Sequence, residues 1–321
     1  MAEFELIQRY FSFSQIKKDL KKPSPIIKSI GDDCAILKIP SKKQLVTSVD
    51  TLVSGVHFFA DSNAFDIAYK ALAVNVSDLA AMGAKPLAYT LAISLPELDD
   101  CWLSDFSQGL EHASKVFNIP LIGGDTTQGP LTITINVLGT VTSQRCLRRD
   151  NAILDEDIWV TGQLGDAAYA LELYQKRRTQ HQQYLWQKLL YPAPKPKFAW
   201  KLTRYSRCAI DISDGLLADL GHILHASKRG AILDVQKLPL SEQLINEVGL
   251  EQARQFALSG GDDYQLCFTA PPSNRKKIVS LASKNNLRVT RIGKIVESGF
   301  HILLDEQPFA ITRSSWQHFT Q

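Results

Sequence analysis

Aspartates recur beside glycine, serine or threonine in six short segments of the sequence. The six are IGDDCAIL (30–37), SVDTLVSGVHF (48–58), VNVSDLAAMGA (74–84), IGGDTTQGP (122–130), AIDISDGLLADL (209–220) and LSGGDDYQLCF (258–268). One such segment alone is ordinary turn or helix-cap chemistry, because Asp beside Gly favours turns and Asp at a helix start accepts backbone N–H groups. Six of them in one chain indicate a site built from oxygen ligands.

Oxygen ligands of this kind suit hard cations, and Mg²⁺ completes its shell with waters and substrate phosphates. Asn75 and Asp78 are three residues apart in an apolar stretch, so on a helix they share one face. A carboxylate buried there needs a partner, since an unpaired charge is costly to desolvate. Asp50, Asp211 and Asp214 follow short apolar β-like runs, and sites in sheets form at strand ends. These positions predict a magnesium site.

Zinc and the two commonest ATP sites are disfavoured. The seven histidines show no HxxxH or HExxH spacing near the aspartates, and the five cysteines form no CxxC pair. The sequence has no Walker A motif and no HRD or DFG set. The glycines of IGGDTTQGP instead allow backbone N–H groups to approach a phosphate, with Asp125 holding the metal bound to it.

Alternating strand and helix patterns predict the elements that position these residues. Prolines in YPAPKPKF (191–198) predict that this stretch forms no regular element. The predicted strands are 44–51, 88–95 and 131–141, and the predicted helices are 64–83, 99–117 and 214–227. The patterns also predict a strand, a turn and a helix over 157–173, and a βαβ-like ending over 262–304.

The chain length of 321 residues predicts two domains, and the pattern restarts after a charged stretch at 144–151. We expect an α+β two-domain protein, with a mixed α/β domain over 1–146 and an α/β domain over 147–321. The net charge of +3 is too close to zero to indicate a nucleic-acid partner. The five cysteines are scattered and odd in number, which favours the reducing cytoplasm. The sequence shows no long apolar run and no signal-peptide pattern, so we expect no membrane span.

The segments IGDDCA, KALAVNVSDLAAMGAKP, LIGGDTT, DISDGL and LSGGDDY, in this order, resemble the thiamine-monophosphate kinases. The wider superfamily contains aminoimidazole ribonucleotide synthetase and selenophosphate synthetase. The resemblance implies ATP-dependent phosphorylation of thiamine monophosphate to thiamine diphosphate. It also implies a homodimer whose N-terminal domains pair through their sheets.

The resemblance implies a role for each matched residue. It assigns several magnesium ions to Asp33, Ser48, Val49, Asp50, Asp78, Asp125, Asp211 and Asp214, with Val49 contributing its backbone carbonyl. It assigns ATP contacts to Gly124, Asp125, Arg149 and Ser213, and thiamine contacts to His57, Asp262 and Trp316. It makes Asp33, Asp50, Asp78, Asp125, Asp211 and Arg149 the catalytic set. Asp262 stands where the family usually has Glu.

Two alternatives remain open at this point. One is another ATP-dependent synthetase of the same superfamily, which would form a different bond with release of ADP. The other is a non-catalytic protein that binds magnesium and nucleotide at a degenerate site. Turnover of ATP that depends on thiamine monophosphate would distinguish both from a kinase.

Overall fold

The structure is a computed structural model that describes residues 3–13, 24–31, 33–142, 144–176 and 183–313. The chain divides into two compact units. The first comprises residues 1–79 and 84–144, and the second comprises residues 80–83 and 145–321. Each is a mixed α/β unit with its own sheet. None of the helices in the described part of the chain is long and apolar enough to cross a membrane.

The first unit is built on a four-stranded sheet. Its elements are α1 (Glu3–Leu6, continued by a π-helical turn at Ile7–Phe11), β1 (Ile26–Lys28), β2 (Ile36–Leu37), β3 (Lys43–Val53), α2 (Ala64–Ala81), β4 (Lys85–Leu95), α3 (Asp100–Phe117), β5 (Leu121–Gln128) and β6 (Thr132–Thr142). The strand order is β3-β6-β4-β5, in which only β4 and β5 run parallel. Strands β3 and β5 are therefore the two edges.

Helices α2 and α3 pack on one face of this sheet, and their sequences differ in how apolar residues are distributed around each helix. Helix α2 is apolar on nearly all sides, and every residue from 67 to 77 is buried. Helix α3 is amphipathic, begins at a cap where Asp99 accepts from the N–H of Cys101, and ends at Asn118 in the left-handed conformation. A 2.8 Å hydrogen bond between Tyr89 of β4 and Ser114 ties α3 to the sheet.

The other face of the sheet is only partly covered. Ile26 and Leu37 pack over Leu87 and Ile122 at one end of it. On strand β3, Leu45 and Val49 are 46% and 56% exposed. A sheet face that exposes large aliphatic side chains is typical of a surface that contacts another molecule.

The second unit contains a seven-stranded sheet with helices around it. Its elements are β7 (Asp157–Thr161), α4 (Asp166–Gln175), α5 (Gln183–Leu190), α6 (Pro196–Leu202), β8 (Cys208–Asp211), α7 (Leu216–Ser227), β9 (Gly230–Asp234), α8 (Glu242–Ser259), β10 (Leu266–Ala270), α9 (Arg275–Ser283), β11 (Val289–Val296), β12 (Phe300–Leu304) and β13 (Gln307–Pro308). The strand order is β13-β12-β9-β11-β7-β10-β8. Strands β10 and β11 are both antiparallel to β7, which lies between them. The predicted βαβ-like ending therefore consists of strands β10 and β11 with helix α9 between them in the chain. The two strands are not neighbours in the sheet, because the antiparallel strand β7 lies between them.

One prediction of secondary structure was wrong, and one strand was not predicted. Helix α6 begins at Pro196, inside the stretch predicted to be irregular, because proline is tolerated at the first position of a helix. The segment IGGDTT, for which the sequence analysis predicted no strand, lies within strand β5. The three predicted strands of the first unit and its two predicted helices are confirmed within a few residues.

Candidate functional site

Strand β3 and helix α2 bring a serine and two aspartates together in the first unit. Ser48 and Asp50 are two residues apart on β3, so their side chains share the face that α2 covers. The Ser48 hydroxyl donates to Asp78 Oδ2 at 2.5 Å. We call Asp50 and Asp78 the acidic pair.

The Asn75 side chain bonds the backbone of strand β3 and that of helix α2 beside the acidic pair. Its fully buried side chain donates from Nδ2 to the Ala71 carbonyl at 2.9 Å, and its Oδ1 accepts from the Asp50 N–H at 3.0 Å. Sequence analysis placed Asn75 on the same helix face as Asp78 but gave it no role in the site. The structure adds it as the residue that fixes strand β3 against helix α2 at Asp50.

The acidic pair is electrostatically unfavourable without a cation. Burial, together with the smaller effect of the nearby Asp78 carboxylate, raises the pKa of Asp50 to about 6. A divalent cation would reverse this effect by favouring both ionised forms. The oxygen donors of Ser48, Asp50 and Asp78 fit Mg²⁺, which takes few protein ligands and keeps other positions for water and phosphate. Within the described ranges, no three His, Cys, Asp or Glu side chains form a group that could hold a metal ion.

His57 and Asp33 lie in segments that flank strand β3. The Nδ1 atom of His57 accepts from the Val53 N–H at 3.1 Å, and the His57 N–H donates to the Val53 carbonyl at 3.0 Å. Because Nδ1 is an acceptor, the neutral ring carries its proton on Nε2. Asp33 is exposed in the segment between β1 and β2.

Gly124 and Asp125 lie on edge strand β5, across the sheet from Asp50. The register aligns Asp50 with Ile135, Leu91 and Gly124 in successive strands. Three interstrand spacings separate the two edges, a distance of roughly 14 Å. Asp125, one residue further, lies on the opposite face of the sheet from Asp50. Within this unit, Asp125 therefore does not join the acidic pair, because the strand order puts β3 and β5 at opposite edges.

The position of Gly124 admits no side chain. A Cβ atom there would lie 1.8 Å from the carbonyl oxygen of Leu91 on β4. At the neighbouring Gly123, the nearest atom to a Cβ would be the Thr90 methyl at 3.9 Å. The need for glycine at 124 follows from close backbone approach between the two parallel strands.

In the second unit, two loops that carry predicted site residues lie against each other. The DISDG loop (211–215) contains Asp211, Ser213 and Asp214, and the GGDDY loop (260–264) contains Asp262. The Asp262 N–H donates to the Ser213 carbonyl at 2.9 Å, and the Tyr264 N–H donates to the Ile212 carbonyl at 2.8 Å. Asp211 is buried at the end of strand β8, whereas Ser213, Asp214 and Asp262 are half-buried.

A cleft of about 460 Å³ adjoins the GGDDY loop. Its lining includes the carboxylates of Asp166 and Asp263, the ammonium of Lys188 and the rings of Tyr184 and Tyr191. Burial raises the pKa of both carboxyl groups, that of Asp263 well above its usual range. Asp166 accepts from the Ser241 hydroxyl at 2.5 Å and the Tyr184 hydroxyl at 3.3 Å, and Asp263 accepts from the Gly165 N–H at about 3 Å. Two acidic side chains and one basic side chain therefore line the cleft, which sequence analysis did not identify.

Arg149 and Trp316 are the remaining predicted residues, and only Arg149 lies in the described part of the chain. Arg149 is exposed, and its carbonyl accepts from the Ser227 hydroxyl at 2.8 Å. Trp316 lies outside the described residues, which end at Arg313. The Arg313 guanidinium lies 3.9 Å from the centroid of the Phe256 ring and 2.9 Å from Glu172, which fixes the chain on helices α8 and α4.

Two family models match most of the chain. The model described as AIR synthase related protein, N-terminal domain, matches residues 31–141, and the corresponding C-terminal domain matches residues 188–305. A thiamine-monophosphate kinase of Haemophilus influenzae is 43% identical over 100% of this chain and 99% of its own length. The chain belongs to the thiamine-monophosphate kinases of the AIR synthase related family.

Solved structures of thiamine-monophosphate kinases share this fold. The crystal structure of the Stenotrophomonas maltophilia kinase matches with a TM-score of 0.86 at 44% identity and covers 96% of this chain and 98% of that one. A structure described as AaThiL complexed with AMPPCP and TMP matches with a TM-score of 0.77 at 30% identity, covering 88% and 89%. The two-domain mixed α/β architecture expected from the sequence is therefore that of the family.

Proposed function

We propose that this protein transfers the γ-phosphoryl group of ATP to thiamine monophosphate and so produces thiamine diphosphate and ADP. The observation that carries this proposal is the full-length identity of more than 40% to curated thiamine-monophosphate kinases. The complex of a relative with AMPPCP and TMP supports both substrates.

The acceptor in this reaction needs no catalytic base, and its charge accounts for a site that is rich in carboxylates. A phosphate oxygen is already anionic near neutral pH, so it attacks the γ-phosphorus without losing a proton to the protein, and ADP leaves. The difficulty is repulsion between anions, since two unit charges ~4 Å apart cost about 4 kcal/mol at an effective dielectric near 20. Magnesium, when bound, supplies the positive charge that offsets this repulsion.

We assign the magnesium sites to the oxygen donors that the sequence predicts. In the first unit, Ser48 orients Asp78 and Asn75 fixes the backbone at Asp50, so the acidic pair is held ready to bind a cation. Asp33, the Val49 carbonyl, Asp125, Asp211 and Asp214 complete the proposed set, with Gly124, Arg149 and Ser213 on ATP, and His57, Asp262 and Trp316 on the acceptor.

The cleft beside the GGDDY loop suits the organic part of the acceptor. Thiamine monophosphate carries a cationic thiazolium ring and an aminopyrimidine. The acidic side chains of Asp166 and Asp263 favour a cation in the cleft. The Lys188 ammonium lies 4.9 Å from the centroid of the Tyr184 ring, so this ring already faces a cation, and Tyr191 adds a second aromatic ring. We propose that these rings enter the cleft.

We propose that the protein works as a homodimer in the cytoplasm. The exposed aliphatic face of the first sheet supports pairing between two copies. Pairing of edge β3 with edge β5 of a second copy would bring the strand that carries Asp125 beside the strand that carries Asp50. Such a dimer would complete a site that one chain leaves divided.

Fluorescence HPLC of thiochrome derivatives tests the proposed reaction. Purified protein, ATP, Mg²⁺ and thiamine monophosphate should yield thiamine diphosphate, and reactions without metal or with unphosphorylated thiamine should not. If folded protein binds Mg-ATP and yields no diphosphate, a synthetase or a non-catalytic binding protein becomes the better explanation.

A further inference from the structure

The backbone of the DISDG loop closes around the carboxylate of Asp219, a residue in the first turn of helix α7. Asp219 Oδ2 accepts the N–H groups of Ser213, Asp214 and Gly215 at 3.0, 3.1 and 3.1 Å. The Asp219 side chain is only 3% exposed. Three successive backbone N–H groups that converge on one oxygen form a concave anion site, and here a side chain of the same chain fills it.

This arrangement determines which atoms of Ser213 remain for a ligand. Its N–H is bound to Asp219, and its carbonyl accepts from the Asp262 N–H at 2.9 Å. The hydroxyl takes part in neither of these bonds and can contact ATP. The same two bonds connect Asp219 through Ser213 to Asp262, so one buried carboxylate fixes both loops.

Close backbone contacts leave the two loops little freedom to rearrange if the Asp219 carboxylate is lost. A Cβ atom at Gly215 would lie 2.7 Å from the Ser259 carbonyl oxygen, and one at Gly261 would lie 2.4 Å from the Ser213 carbonyl oxygen. Gly215 has a φ of 123° and Asp262 a φ of 66°, both in the region that L side chains adopt rarely. A conformation of this kind persists only where surrounding contacts hold it.

We propose that Asp219 is a positioning residue of the kinase: it holds the DISDG loop in the conformation that presents Ser213 and Asp214 to Mg-ATP and, through Ser213, sets the position of Asp262. This role rests on the proposed function. Asp219 touches no substrate in this account. Its contribution is to fix groups that do, as outer-sphere partners fix ligands in metal sites.

Two substitutions and one matched control test the role. Asp219→Ala removes the acceptor, and Asp219→Asn keeps its size and one oxygen but loses the charge that strengthens these bonds. The control is Asp157→Asn in strand β7, which loses an equally buried carboxylate that accepts from Arg275 at 2.6 Å. Asp157 pairs with Ala270 of strand β10 and Asp211 pairs with Leu266, so the control lies four residues along the sheet, roughly 13 Å away.

The measurements are the Mg²⁺ dependence of turnover and amide hydrogen exchange of residues 213–215 in the full chain. We expect turnover of Asp219→Ala to fall about 10- to 100-fold with a raised half-saturating Mg²⁺ concentration. Asp219→Asn should recover part of this loss, and exchange at 213–215 should accelerate in the order wild type, Asn, Ala. The control should lose stability without a change in either readout.

The proposal is overturned if Asp219→Asn and Asp219→Ala keep wild-type Mg²⁺ dependence and slow exchange, or if Asp157→Asn shifts both readouts equally. A wild-type protein that transfers no phosphate would refute the proposed function instead. The exchange measurement would then still decide whether Asp219 holds the loop. If Asp219→Ala does not fold, Asp219→Asn decides.

Discussion

The hydroxyl of Ser48 donates to Asp78 Oδ2 at 2.5 Å, and this bond joins strand β3 to helix α2 at the acidic pair. Ser48 and Asp78 are 30 residues apart in the chain. The bond orients one oxygen of Asp78 without adding charge, so the serine acts on the geometry of the pair and the aspartates supply its charge.

Ser48→Ala should therefore weaken metal binding without abolishing it. Loss of a hydrogen bond to a metal-binding carboxylate typically costs about 10- to 100-fold in affinity or activity, and we expect the lower end here. Titration of turnover with Mg²⁺ measures the effect, and Ser48→Thr, which keeps the hydroxyl, serves as the control. Unchanged half-saturation in Ser48→Ala would show that the bond has no such role.

Asp50→Asn should stabilise the metal-free protein at pH 8. Folding raises the pKa of Asp50 from 3.8 to about 6, so the folded state keeps a proton that the unfolded state releases between about pH 4 and pH 6. Stability from this group is thus present below pH 4 and is lost as the pH rises to 6. The full shift corresponds to about 2–3 kcal/mol.

Urea unfolding in a chelator, at pH 4 and at pH 8, measures this difference. The variant should gain free energy of unfolding over wild type at pH 8, match it at pH 4, and show no further gain on addition of Mg²⁺. A variant less stable than wild type at pH 8 would contradict the repulsion inferred for the acidic pair.

Gly124→Ala and Gly123→Ala should behave differently although they are neighbours. The Cβ at 124 would lie 1.8 Å from a backbone oxygen of β4, and the strand must move, at a cost of about 1–3 kcal/mol. The Cβ at 123 meets only a methyl group at 3.9 Å. We expect lower stability and weaker ATP binding for Gly124→Ala alone, by thermal unfolding and calorimetric titration. Equal effects at both positions would refute the close strand approach.

Two inactive variants should restore activity when mixed if the site is shared between subunits. A heterodimer of Asp78→Asn and Asp125→Asn chains would have one site with both changes and one with neither. Random reassortment then returns up to about a quarter of wild-type activity. The assay is turnover after the two variants are unfolded and refolded together, with each variant refolded alone as the control. No recovery, with dimers present, would place both aspartates in a site within one chain.

Opposite charge changes in the cleft should change the affinity for the acceptor in opposite directions. Asp166→Asn makes the cleft less negative and should raise the KM for thiamine monophosphate several-fold. Lys188→Met makes it more negative and should lower that KM. The KM for ATP should stay constant in both. Equal shifts in the two KM values, or shifts of the same sign, would exclude the cleft as the site of the cationic ring.

Periodicity predicted much of the fold of the first unit because its elements are regular. The apolar run of α2 and the β-branched runs of β3, β4 and β6 carry strong local patterns. Strand β5 was missed because its two glycines favour a loop locally, whereas pairing with β4 makes it a strand. Pairing of this kind is a tertiary contact, and no local pattern specifies it.

The site was predictable by residue type and less so by arrangement. The three-residue spacing of Asn75 and Asp78 predicted a shared face, which the structure shows. Contacts between distant segments, such as Ser48 with Asp78, depend on packing that the spacing does not specify. Asp219 is different, because it lies only four to six residues after the DISDG amides that it binds. A side-chain-to-backbone contact as local as this is of a kind that a sequence can indicate.

The most direct test of the account follows the γ-phosphate itself. Wild type and Asp78→Asn are supplied with ATP labelled at the γ-phosphate and with thiamine monophosphate over a range of Mg²⁺ concentrations. We predict label in the terminal phosphate of thiamine diphosphate for wild type, only with Mg²⁺. Turnover should be about 100-fold or more lower for a folded Asp78→Asn at every Mg²⁺ concentration. Near-wild-type transfer by Asp78→Asn at saturating Mg²⁺, or ATP cleavage with no label in thiamine diphosphate, would contradict it.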